Sequence, residues 1–244
     1  MEKDPCSSKA GWPHQPGKSR DPCLLARRAF ILGAPALMAS GCFRVKQQDT
    51  KPSQPPVPSG PAILDFNPQE IYGATSDRDI VLPAVNYQKL RPDLHRQIVV
   101  DPTAAQAGTI VVRLEEYHLY FSRGDGTAIR YGVGIGADGF AWSGAGVIGR
   151  KTSWPRWTPT AEMKARDPGL SVYSSGKEGG VENPLGARAL YIYKGALDTL
   201  NRVHGTPEWW SIGREISSGC IRMLNQDVID LYARTPMGAN ILVS

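Results

Sequence analysis

Ile216-Ser217-Ser218-Gly219-Cys220-Ile221-Arg222-Met223 holds Cys220, the one cysteine of the 244-residue chain beyond residue 42, and Val203-His204-Gly205-Thr206 lies a short way upstream. A thiol in a glycine-containing loop, with a histidine close enough in sequence to be brought beside it, is the minimal set for thiolate nucleophilic catalysis. The alternative is a buried cysteine acting as a small hydrophobe. The neighbouring residues have to decide between the two.

The start of the chain bears on that choice. A polar, basic stretch ends at Ala26-Arg27-Arg28, the 11 residues Ala29 to Ala39 are apolar, and Ser40-Gly41-Cys42 follows. This is the three-part layout of a secretory signal. The apolar run is far shorter than the roughly 20 residues a membrane-spanning helix needs, and Gly33 and Pro35 interrupt it. Arg27-Arg28-Ala29-Phe30-Ile31 resembles a twin-arginine export signal. Ala39 and Gly41 suit ordinary cleavage before Cys42, and the same site resembles a degenerate lipoprotein box in which Cys42 carries lipid and tethers the chain to the membrane. Either outcome places the mature chain in the periplasm or cell envelope, where unpaired cysteines are uncommon. Residues 1–42 are therefore expected to be a signal, leaving Cys220 as the lone internal thiol.

Charge excludes one class of partner. The net charge is +5, but residues 1–28 hold six Lys or Arg against three Asp or Glu, which leaves about +2 for the mature part. With no basic cluster interleaved with aromatics, nucleic acid is not an expected partner. Residues 43–61, rich in Pro, Ser and Gln, read as a linker. Residues 62–107 read as an N-terminal extension packing on the main domain, and 108–244 as that domain.

Within it, Thr109 to Phe121 is rich in β-branched and aromatic residues, Ser122-Arg-Gly-Asp-Gly126 is a turn cluster, and Ala128 to Ile135 is a glycine-laced strand; together they read as a hairpin. Further strands are expected at 188–193, 202–204, 220–223 and 239–243. A helix is expected at Asn225 to Arg234, capped by Asn225, with Val228, Ile229, Leu231 and Tyr232 inward and Thr235-Pro236 as its stop. The expected class is mostly β with one or two short helices.

These pieces resemble a known family. His204-Gly205-Thr206, the Ser-x-Gly-Cys loop at Ser217 to Cys220, Ile221-Arg222-Met223 and the helix at Asp227 to Tyr232 are similar to the catalytic domain of the L,D-transpeptidases, the YkuD fold, a β-sandwich or β-rich domain. The likeness extends upstream through Tyr131 to Gly136, Phe140 to Gly144, Ile148 to Lys151, Trp154 to Pro159 and Asn183 to Leu190. Two departures stand out: Ser218 occupies the place of a loop histidine, and the gap from His204 to Ser217 is shorter than usual.

The resemblance implies a peptidoglycan L,D-transpeptidase. Cys220 is then the nucleophile and His204 the general base, and the backbone N–H groups of Ser218, Gly219 and Cys220 form the oxyanion hole, with Gly205 and Ser217 in support. An imidazole beside the thiol is expected to lower its pKa and so supply thiolate. Arg222 is a candidate for a substrate carboxylate, its alternative being an ordinary ion pair. Trp154, Trp157, Trp209 and Trp210 are expected to wall the cleft, and Trp209, Trp210 and Tyr193 are the candidate substrate contacts. The implied partners are stem peptides, with a second stem peptide or an envelope protein as amine acceptor. No cofactor and no metal are expected, because no His, Cys and Asp set has ligand spacing. Two other readings stay open: an L,D-carboxypeptidase releasing the same acyl-enzyme to water, and a tethered cell-wall-binding protein whose site is disabled by Ser218.

Overall fold

The computed structural model describes residues 66–136, 143–216 and 220–244. The signal, the linker, Cys42, the Phe140-Ala-Trp142 stretch and the loop residues Ser217, Ser218 and Gly219 lie outside the described residues. The chain divides into units Met1–Pro55 and Pro56–Ser244, and the described residues all belong to the second.

The strands in chain order are β1 Thr75–Asp77, β2 Ile80–Leu82, β3 Gln97–Val100, β4 Ile110–Arg113, β5 His118–Ser122, β6 Thr127–Gly136, β7 Gly144–Ser153, β8 Arg188–Lys194, β9 Leu197–Thr206, β10 Glu215–Ile216, β11 Ile221–Leu224 and β12 Asn240–Val243. The helices are α1 Pro68–Ile71, α2 Ala161–Arg166 and α3 Asn225–Arg234. The single strand expected over 109–121 is two. Tyr117 takes a left-handed φ of 58° and donates its N–H to Leu114, so the paired charges Glu115-Glu116 sit in a turn and β4 folds back on β5. The glycine turn at 123–126 then joins β5 to β6, as expected.

One sheet dominates. Its hydrogen-bonded path runs β6, β11, β9, β8, β7, β12, β4 and β5, and β5 pairs again with β6, so the sheet closes into a ring. The two layers expected of a sandwich are thus two sides of one continuous sheet. Inward residues alternate along each strand as the pleat requires. Ile110, Val112, Leu119, Ile129, Val133, Ile148, Leu190, Ile192, Val203, Ile221, Met223 and Ile241 form the core. Helix α3 packs on β8, β9 and β11 and adds Val228 and Leu231 to it. Thr235 ends the helix by donating its hydroxyl to the Leu231 carbonyl. The expected cap differs. Leu224 is the capping residue and contributes no side-chain bond, while Asn225 turns inward to accept from the Ala187 N–H at 2.8 Å.

The extension is built into this core. Strand β3 pairs with β6, and Val99 and Ala105 cover Val111, Tyr120 and Ala128 on the outer side of the sheet. Gly132 in β6 lets the Pro92–Leu94 turn pass close, since a Cβ there would meet the Leu94 carbonyl oxygen at 2.4 Å. Asp77 grips Arg188 of β8 through two bonds of 2.7 and 2.8 Å. The buried Tyr72 hydroxyl accepts from the Arg96 N–H at 2.7 Å and donates to Asp227 of α3 at 3.1 Å. Burial pushes the Asp227 carboxyl up to about 7, against the pull of the Arg96 charge.

Removing that hydroxyl leaves a buried N–H and a buried carboxylate oxygen each short of a partner. Tyr72→Phe is expected to destabilise the chain by about 2 kcal/mol. The measurement is a urea unfolding midpoint, and an unchanged midpoint would count against the bridge.

Candidate functional site

Two strand pairings place the residues singled out above. β9 and β11 run parallel, with Val203 beside Ile221 and His204 beside Arg222. Val203, Ile221 and Met223 point into the core. The alternation of the pleat then sends Arg202, His204, Cys220 and Arg222 to the opposite face of the sheet. Cys220 stands one residue before β11, and its carbonyl accepts from the Gly136 N–H at 3.1 Å, so the β6 ladder also fixes its backbone. By this register Cys220 neighbours Arg202 and is diagonal to His204. Strand spacing and rise put the Cα atoms of the diagonal pair roughly 8 Å apart, a span that an imidazole and a thiol can close from one face.

His204 is 5% exposed, and Cys220 is a half-buried thiol. The His204 Nδ1 lies 2.6 Å from the Gly205 carbonyl oxygen. A carbonyl can only accept, so Nδ1 carries the proton and Nε2 is left as the basic nitrogen. Burial holds the imidazole pKa down to about 3, the Gly205 bond opposes this, and the Arg222 and Arg202 charges add to it. The cations close to this face are guanidiniums, and the histidine is neutral at physiological pH.

Gly205 is glycine for a steric reason. A Cβ there would meet the Asn225 Oδ1 at 2.3 Å, and that same atom receives the Ala187 N–H. The side chain of Asn225 thus ties the start of α3 to the turn before β8, with Gly205 of β9 packed close against it. Asn183 does the same work one turn earlier. Fully buried, it accepts from the Leu185 N–H and donates to the Lys177 and Glu178 carbonyls.

The remaining predicted residues divide. Arg222 pairs with Glu208 at 2.6 Å, which is the ion-pair alternative. Trp209 lines a cavity of about 100 Å³ with Val85, Thr206, Pro207, Asn225 and Gln226, just past the end of β9. Trp210 is 51% exposed and meets the Trp209 ring edge-on at 5.9 Å. Tyr193 is not brought to the site. Ala189 is the β8 partner of His204, and Tyr193 stands four residues farther along, roughly 13 Å away at strand rise. The expected wall from Trp154 and Trp157 is also corrected: Trp154 donates to Asp77 at 2.8 Å, and Trp157 is buried with its backbone bridged to Lys177. His95 and His118 bond the Tyr87 and Asp93 carbonyls and belong to the extension's packing. The expected oxyanion residues Ser218 and Gly219, and Ser217, lie outside the described residues.

Glu208 and Arg202 carry no role in the sequence reading, and Asn225 carries only that of a helix cap. The two-residue spacing of Arg202 from His204 was the available signal, since it puts both on one face of a strand.

Comparison with known proteins fits this arrangement. The family model for the YkuD L,D-transpeptidase catalytic domain matches residues 107–243. The probable L,D-transpeptidase YbiS of Escherichia coli K12 is 31% identical over 154 residues, 59% of this chain and 47% of its own. The probable L,D-transpeptidase ErfK/SrfK of the same organism is 30% identical over 177 residues, 70% of this chain and 53% of its own. The chain thus spans about half the length of the curated relatives it matches. A crystal structure described as a probable carnitine operon oxidoreductase of Brucella melitensis is 42% identical, covering 63% of this chain and 96% of that one, with a TM-score of 0.45. With the family model spanning more than half of its residues, this chain belongs to the L,D-transpeptidase catalytic-domain family.

Proposed function

We propose that the chain is a peptidoglycan L,D-transpeptidase in which Cys220 is the nucleophile and His204 its base. The observation that carries the reading is the tautomer of His204, set by the Gly205 carbonyl, on the sheet face shared with Cys220. Nε2 takes the thiol proton as sulfur attacks the stem-peptide carbonyl before the terminal D-residue. The tetrahedral oxyanion is held by backbone N–H groups of Ser218, Gly219 and Cys220, donors of a kind worth about 3 kcal/mol each. Collapse breaks the C–N bond, and the proton on Nε2 passes to the departing amine. A thioester on Cys220 remains. An acceptor amine attacks it, His204 takes the amine's proton and returns it to sulfur, and a new amide leaves.

The neutral imidazole shapes the first step. Burial, with Arg202 and Arg222 beside it, disfavours an imidazolium at rest, so His204 meets the thiol as a neutral base. The exported chain does this work in the periplasm, with Cys42 as a membrane tether and another stem peptide or an envelope protein as acceptor.

Three measurements test the reading. Cys220→Ala is expected to lose the thioester adduct seen by mass spectrometry when the full chain meets a tetrapeptide donor, together with all turnover; turnover surviving the change sinks the assignment. The product formed with and without an acceptor amine separates transfer from hydrolysis. For His204, a folded-state pKa below the free value of about 6.5 means that the imidazole stays neutral until acid far below that value. Its Cε1–H NMR shift is expected to stay flat from pH 5 to 8, and a midpoint near 6.5 would contradict the burial.

A further inference from the structure

Arg222, the guanidinium nearest the thiol in sequence, is taken by Glu208. Arg96, Arg188 and Arg234 are likewise held by aspartates. Arg150 and Arg202 differ: among the described residues no carboxylate lies within ion-pair distance of either. They meet instead over one ring. Arg150 of β7, Tyr191 of β8 and Arg202 of β9 form a row across three strands, because Tyr191 is the register partner of both arginines. The Arg150 guanidinium carbon lies 3.6 Å from the Tyr191 ring centroid and that of Arg202 lies 5.0 Å from it. Tyr191 is 5% exposed beneath them. The Nε of Arg202 is buried with no hydrogen-bond partner.

A guanidinium stacked on an aromatic ring has its plane fixed and its N–H edge presented, the geometry that a carboxylate accepts bidentately. A buried N–H without an acceptor costs free energy until a ligand supplies one. This row lies on the face that carries His204, and Arg202 is the cross-strand neighbour of Cys220. In a peptide donor the carboxylate of the terminal residue lies within about 4 Å of the scissile carbonyl carbon. A strand spacing of about 4.8 Å separates the backbone of the nucleophile from that of Arg202; the Arg150 backbone is two strands farther, and its long side chain shortens that distance by leaning onto Tyr191.

We propose that Arg150, Tyr191 and Arg202 form a clamp for the α-carboxylate of the terminal D-residue, the group that departs with the leaving amine. The clamp rests on the transpeptidase reading and deepens it. It makes the enzyme select donors that end one residue beyond the bond it breaks. Arg202 and Arg150 are positioning residues: they bind the carboxylate and take no proton.

The test is steady-state kinetics of the full chain on two tetrapeptide donors, one with a free terminal carboxylate and one amidated there. The unaltered chain is expected to prefer the acid by about 10- to 100-fold in kcat/KM, the worth of one or two charge-assisted hydrogen bonds. In Arg150→Met that ratio is expected to fall toward one, mainly through KM for the acid. Arg202→Lys keeps the charge and loses the fork, and is expected to lower the ratio several-fold, which reads the clamp even if the first variant fails to fold. An unchanged ratio in folded variants, or equal losses on both donors, overturns the clamp and leaves the transpeptidase reading standing. Turnover of neither donor by the unaltered chain overturns both.

Discussion

The parallel pairing of β9 with β11 is the constraint on which everything at the site depends. A parallel pair needs a long connection, and here the segment from Thr206 to Cys220 supplies it while carrying Glu208 and the tryptophans. Because side chains alternate, the register that buries Val203 against Ile221 also sends His204 and Cys220 to the same outer face. A slip of one residue would exchange the two sets. The core therefore guards the site: an apolar penalty falls on any arrangement that separates His204 from Cys220.

The same face has an electrostatic character that composition hides. A charge of about +2 over residues 29–244 is unremarkable, yet Arg202 and Arg222 flank one buried imidazole and Arg150 stands on the same face two strands away. Burial first, and then the Arg222 and Arg202 charges, disfavour a proton on His204, and the same charges favour negative charge nearby, whether on sulfur, on an oxyanion or on a bound carboxylate. Glu208 offsets only the Arg222 part.

Much of this was legible in the residues because it is local. Arg202-Val203-His204 and Ile221-Arg222-Met223 show the period of a half-buried strand, and the helix from Asn225 stops where Thr235-Pro236 says it must. What escaped was non-local or chemically quiet. Glu115-Glu116-Tyr117 makes a turn without glycine or proline, so the run from Thr109 looked continuous. β7 is rich in glycine and so lacks the β-branched signature of a strand. Tyr72 and Asp227 are 155 residues apart, and nothing in either neighbourhood announces the other. Asn225 looked like a cap because asparagine usually serves there, but the Ala187 N–H, buried behind His204, had the stronger need. Tyr193 and the arginine row depend on register, which only pairing reveals.

The closed ring has a temporal side. Its closing contacts join distant parts of the chain: β12 at residues 240–243 lies parallel to β4 at 110–112, and β11 pairs with β6 nearly ninety residues earlier. Such contacts form late, since the loop entropy must be met before they return anything. The meander β4–β5–β6 and the hairpin β8–β9 can assemble from neighbours alone, but neither contains both Cys220 and His204. Bringing His204 and Cys220 to one face therefore needs the pairing of β9 with β11 across the segment between them, a step that lies outside either local unit.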